Sequence, residues 1–168
     1  HKWDIGLFEK AIFGILNIHS VFYNKENIIR SIPGMNIKQR KSQWLENKIV
    51  WEKLVTGAHN LRQDIISDEI LNIQKEIIDD ISNWYGQFDD QPTTIIHGDF
   101  NPRNMGFRIK NNQLISTILD WECAREHVPQ FDLMQFILYS CNSSNIIKLS
   151  EHLINYYRVE FNKLSNQN

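Results

Sequence analysis

The tetrapeptide from Lys110 to Gln113, KNNQ, separates two short runs, MGFRI and LISTILD, that are rich in β-branched side chains and bounded by turn residues. Asparagine tolerates left-handed backbone angles, so this segment predicts a tight β-hairpin. A register that sets Ile109 opposite Leu114 also sets Asn104 opposite Leu119 and Asp120 opposite Arg103. Neighbouring strands lie about 5 Å apart, which brings the Asn104 carboxamide and the Asp120 carboxylate together at one end of the hairpin. Two hard oxygen donors so placed suit one Mg²⁺ ion, whereas zinc would ask for imidazole or thiolate.

Around the hairpin the pattern is helical. From Asp4 to Tyr23 the apolar residues Ile5, Phe8, Ile12, Ile15, Leu16 and Val21 follow helical spacing, with Asp4 placed to cap the start. After the Pro-Gly turn in SIPGMN, the stretch IKQRKSQWLENKIVWEKLVTG predicts a second helix stopping at Gly57. A third runs from Asp64 to Tyr85 on the stripe Ile66, Ile70, Ile73, Ile77, Ile81 and Trp84, with Gly86 as its stop. TTIIH reads as a strand, and FDLMQFILYSC and SNIIKLSEHLINYYRVEFNKL return to helical spacing. The fold class is α+β and mostly helical, with one small β element, in a single domain over residues 1–168.

Composition narrows the function. The chain holds 18 Lys and Arg among 20 Asp and Glu, with a net charge of -2 and one short basic run at Lys38 to Lys41, so no basic stripe supplies affinity for nucleic acid. No apolar stretch approaches the roughly 20 residues needed to cross a bilayer, and the start lacks the apolar core of a signal peptide. Cys123 and Cys141 have no metal-ligand spacing and read as reduced thiols in a cytoplasmic setting. The opening on His1 rather than Met points to a piece of something longer. His59, His127 and His152 have no ligand partners at helical spacing and read as surface residues.

The polar motif is IIHGDFNPRN, residues 95–104. Asp99 lies on the loop feeding the hairpin, free of the ladder and placed to receive a proton from a hydroxyl. The protein-kinase pattern H-R-D-x-x-x-x-N sets Asp and Asn at the same offset of five as Asp99 and Asn104, with glycine here in place of the arginine. In kinases such an Asp orients the nucleophile, while Asn and a second Asp hold magnesium. Side chains alternate along strands, so Gly106 and Ile118 take the faces of Asn104 and Asp120 and are expected to floor the pocket for the base of a nucleotide.

H-G-D-x-x-x-x-N followed by a strand ending in Asp resembles the aminoglycoside phosphotransferase and choline kinase-like family of small-molecule kinases. IIHGDFNPRNMGF and STILDWE carry the resemblance, joined by ILNIHS and VPQFDLMQF, over nearly the whole chain. It implies a kinase-like C-terminal lobe whose small β-hairpin carries the catalytic and metal residues. Asp99 would be catalytic, Asn104 and Asp120 metal ligands, Glu122 a contact to a second metal, and Asp132 a brace for the loop. The activity implied is transfer of the ATP γ-phosphoryl group, with Mg²⁺, to a hydroxyl of an aminoglycoside, a choline-like amino alcohol or a sugar. The family's upper lobe, with its glycine-rich loop and strand lysine, is missing from residues 1–168, so the chain alone is expected to be inactive.

Rival readings remain at this point. A metal-dependent hydrolase could use His97, Asp99, Asp120 and Glu122, although it leaves Asn104 idle, and a non-catalytic module could keep the lobe without its chemistry. His97 itself reads as a supporting residue that hydrogen-bonds loop backbone, since kinase chemistry gives it no step. His19 reads as a buried packing residue that braces the loop.

Overall fold

The computed structural model describes residues 3–37, 41–141 and 146–165. They form two compact units, one of residues 1–38 with 92–168 and one of residues 39–91. The basic run at Lys38 to Lys41 falls largely outside the described residues.

The first unit is built on α1 (Ile5–Phe22), which starts where the Leu7 amide donates to Asp4 Oδ1 at 2.9 Å. Phe8, Ala11, Ile12, Ile15 and Leu16 are buried along one stripe, whereas Ile5 and Val21, at its two ends, are exposed. By length and composition α1 is the one described helix long and apolar enough to cross a membrane, which revises the expectation that no stretch comes close. Its stripe meets Phe100, Leu133, Phe136, Ile137, Leu149, Leu153 and Tyr157 in one hydrophobic core. Leu133 to Ile137 come from α8 (Gln130–Ser140), and Leu149 to Tyr157 from α9 (Ile146–Ser165). A short helix, α2 (Glu26–Ser31), follows α1 where the sequence pattern showed none.

Two small antiparallel sheets, rather than one, complete this unit. In the hairpin, β2 (Met105–Lys110) pairs with β3 (Gln113–Ile118), and Ile109 faces Leu114, the predicted register. Asn111 and Asn112 form the two-residue turn with φ of 51° and 61°, the left-handed pair that matches strand twist. The second sheet pairs β1 (Thr94–Ile96) with β4 (Arg125–His127), Thr94 opposite His127 and Ile96 opposite Arg125. Arg-Glu-His reads as polar loop, yet Glu126 is fully buried. The reason is its partners: Arg30 donates to it twice, at 2.9 and 2.8 Å, and the Thr93 hydroxyl donates at 3.1 Å. His59 and His127 are buried as well, against their reading as surface residues.

The second unit is wholly helical: α3 (Lys41–Glu46), α4 (Lys48–Leu61), α5 (Asp68–Asp79), α6 (Ile81–Trp84) and α7 (Gly86–Asp89). Gly57 does not stop α4, which runs on to Leu61, and Gly86 opens α7 instead of ending α6. The long third helix divides at Asp80. Ser67 caps α5 through the Ile70 amide at 3.3 Å, while Ile70, Ile73 and Ile77 are exposed and Leu71 and Ile81 are buried. Trp44 stacks on Trp51 with ring centroids 5.6 Å apart and packs against Tyr85 at 5.2 Å.

The buried Glu126 makes a stability prediction. Arg30→Ala leaves its carboxylate with Thr93 alone, and a half-exposed arginine counts for less than a fully buried one, so the expected loss is about 2 kcal/mol. Urea unfolding at constant m-value measures it; a loss under about 0.5 kcal/mol would place the compensation of Glu126 elsewhere.

Candidate active site

β1 delivers the chain into a loop whose backbone is held by one carboxylate. Asp132, in the first turn of α8, is fully buried. Its Oδ2 accepts the His97 amide at 2.7 Å and its Oδ1 the Gly98 amide at 2.9 Å. His19 Nε2 lies 3.2 Å from Oδ2, and the Tyr157 hydroxyl lies 2.7 Å from His19 Nδ1. Burial, reinforced by the charge of Asp132, pushes the Tyr157 phenol well above its ordinary range, so it stays protonated. Gly98 takes φ of +81°, and a Cβ there would collide with the Cys123 carbonyl oxygen. Only glycine fits this position.

His97 is fixed by its neighbours. The Asp99 amide donates to Nδ1 at 3.2 Å, which leaves Nε2 to carry the hydrogen donated to the Leu119 carbonyl at 2.8 Å. The ring packs edge-on against Trp121, with centroids 4.7 Å apart. An imidazole with both nitrogens engaged in this way has no lone pair for a metal, which removes it from the hydrolase reading. Among the described residues no three His, Cys, Asp or Glu side chains cluster to hold an ion.

Asp99 is gripped by two amides. Asn101 Nδ2 donates to Asp99 Oδ1 at 3.0 Å, and Asn104 Nδ2 donates to Asp99 Oδ2 at 2.8 Å. Asn101 is buried, and its own Oδ1 caps the 3-10 turn Pro102–Asn104 through the Arg103 amide at 2.9 Å. The sequence reading passed over Asn101; an asparagine just before proline is an Asx-turn signal that would have marked it. Gln135 was also missed. Its Oε1 accepts the Phe100 amide at 2.9 Å, and the Phe100 ring stacks on Phe136 at 4.8 Å.

The predicted metal pair flanks the hairpin instead of sitting on its strands. Asn104 ends the 3-10 turn before β2, and Asp120 follows β3 in the left-handed region with φ of 62°. The Leu119 amide donates to the Asn104 carbonyl at 2.9 Å, extending the ladder by one pair to the residue before Asp120. Asn104 Nδ2 is committed to Asp99, and among the described residues its Oδ1 and the exposed carboxylates of Asp120 and Glu122 make no hydrogen bond or ion pair. An amide oxygen and carboxylates form an oxygen-only donor set that fits Mg²⁺.

Gly106 and Ile118 do not share a pocket. Ile118 faces Met105 and packs with it and Phe107 against the core. Gly106 faces Thr117 on the other side of the hairpin, where a Cβ would meet nothing within 4 Å. Strand alternation puts the exposed Leu119, not Ile118, on the face of Gly106.

Residues 36–158 match the family model described as the phosphotransferase enzyme family. The chain therefore belongs to that family. No curated protein and no solved structure matches it.

The left-handed Gly98 yields the test of this geometry. Gly98→Ala combines backbone strain with the collision at Cys123 and is expected to cost about 2 kcal/mol or more. Thermal and urea unfolding measure the loss; a neutral variant would mean that the loop can leave the Asp132 carboxylate without penalty.

Proposed function

We propose that the chain is the C-terminal, catalytic-loop lobe of an ATP-dependent small-molecule kinase, transferring the γ-phosphoryl group to a hydroxyl. The observation that carries this reading is the split use of Asn104. Its amide group orients Asp99 through Nδ2 at 2.8 Å; on this reading its oxygen and the Asp120 carboxylate would be the donors toward a cation. Asp99, held from both sides, accepts the hydrogen bond of the acceptor hydroxyl and takes its proton as the oxygen attacks. Bound Mg²⁺ supplies neutralisation of phosphate charge; Asn104 and Asp120 are the groups to hold it, with Glu122 the candidate for a second ion.

Gly106 and Leu119 offer the open face on which the nucleotide base rests. A glycine-rich loop and a lysine that clamp the phosphates come, on this reading, from a lobe outside residues 1–168, so that the chain alone binds Mg-ATP weakly and transfers nothing. Acceptors of the aminoglycoside, amino alcohol and sugar classes all fit the chemistry. The free thiols of Cys123 and Cys141 favour the cytoplasm.

Transfer from Mg-ATP to a panel of such acceptors, in a chain that includes the clamping lobe, is the direct test. Asp120→Ala should abolish turnover with the fold still cooperative, Asn104→Ala should weaken it less, and Asp99→Asn should lower kcat by about a thousandfold. Normal turnover in Asp120→Ala at ordinary magnesium would remove that residue from the mechanism. Gly106→Phe fills the open face and is expected to raise the nucleotide KM at least about tenfold, with little change in stability. An unchanged KM would put the nucleotide on another surface.

A further inference from the structure

Tyr157 has no part in the chemistry above, yet it spends a buried hydroxyl on His19. A phenylalanine would fill the same space: the ring already stacks on Phe161, with centroids 5.7 Å apart, and meets His19 edge-on at 5.9 Å. Burying the phenol oxygen among apolar neighbours is unfavourable unless it is hydrogen-bonded. Among the described residues its one bond is to His19 Nδ1, at 2.7 Å. Asp132 Oδ2 can only accept, so Nε2 carries a ring hydrogen, and in that tautomer Nδ1 accepts the hydrogen of the phenol. With the phenol engaging Nδ1, the ring hydrogen is held on Nε2, where it points at Asp132 Oδ2. The opposite tautomer would set a lone pair against a buried carboxylate.

We infer that Tyr157 is a positioning residue for the catalytic loop: by fixing the tautomer of His19 it orients Asp132, which in turn holds the His97 and Gly98 amides and so presents Asp99. The chain of bonds begins on α9 and crosses α1 and α8 before it reaches the loop, all within the first unit. Each member along it is buried: Tyr157, His19, Asp132 and His97. With the hydroxyl removed, Nδ1 is orphaned in the core, and the imidazole can relieve this only by turning or by changing tautomer. Either response weakens the hold on Asp132. The assignment of Asp99 as the catalytic group rests on the function proposed above, but the coupling from Tyr157 to the loop amides does not.

Native-state amide hydrogen exchange on Tyr157→Phe separates the two. The His97 and Gly98 amides are expected to exchange at least about tenfold faster than in the parent. Those of Ile15 and Leu16, in the middle of α1, should change only with global stability. Phe161→Leu, which loosens the same helix contact and spares the hydroxyl, should show no such selectivity. Unchanged exchange at His97 and Gly98, acceleration spread evenly over the core, or equal selectivity in Phe161→Leu would each overturn the inference. In the kinase assay Tyr157→Phe should lower kcat and leave the nucleotide KM in place, since orientation of the acceptor is what suffers. A Tyr157→Phe variant that exchanges as expected, where the parent with its clamping lobe transfers no phosphoryl group to any acceptor, would refute the proposed function while upholding the role of Tyr157.

Discussion

A carboxylate out of reach of water survives only if its oxygens are hydrogen-bonded, and Asp132 satisfies this with two main-chain amides and an imidazole. The rest of the site depends on that demand. To turn both amides toward one carboxylate the chain must bend sharply at Gly98, and the bend brings the Cys123 carbonyl so near that no side chain fits. Asp99 emerges from the bend with its own amide bonded to His97. The carboxylate that orients the loop is thus on a helix of the core, while the Asp99 carboxylate is on the loop itself.

Asparagine does the finer work because its side chain both donates and accepts. Asn101 donates to Asp99 and accepts from Arg103, which locks the turn below the carboxylate. Asn104 donates to Asp99 and retains an oxygen. An aspartate at either position would set a second negative charge against Asp99 with no hydrogen to offer it. Asp120, by contrast, has no side-chain partner among the described residues and sits at a left-handed turn after the hairpin.

The hairpin could be read from the sequence because every local signal there agreed: β-branched runs, a tight Asn-Asn turn, and an offset of five between Asp99 and Asn104. The helix stripes in α1 and α9 were legible for the same reason. What escaped was set by distant contacts. β4 is a polar tripeptide that becomes a strand because Arg30, far away in the chain, neutralises Glu126. Gly57 and Gly86 looked like stops, but a glycine ends a helix only where the chain turns left-handed, and neither has a positive φ. Alternation along each strand alone puts Gly106 and Ile118 on one face, but across the pair opposed residues, not diagonal ones, share a face, and Gly106 opposes Thr117.

The pairing of β1 with β4 has a topological consequence. Three residue pairs, Thr94 with His127, Ile95 with Glu126 and Ile96 with Arg125, tie off everything between them as one closed loop. Asp99, Asn104, Asp120 and the whole hairpin lie inside it. The entropy of closing that loop is lost once, at its neck, and every group of the site then forms in a chain whose ends are already joined.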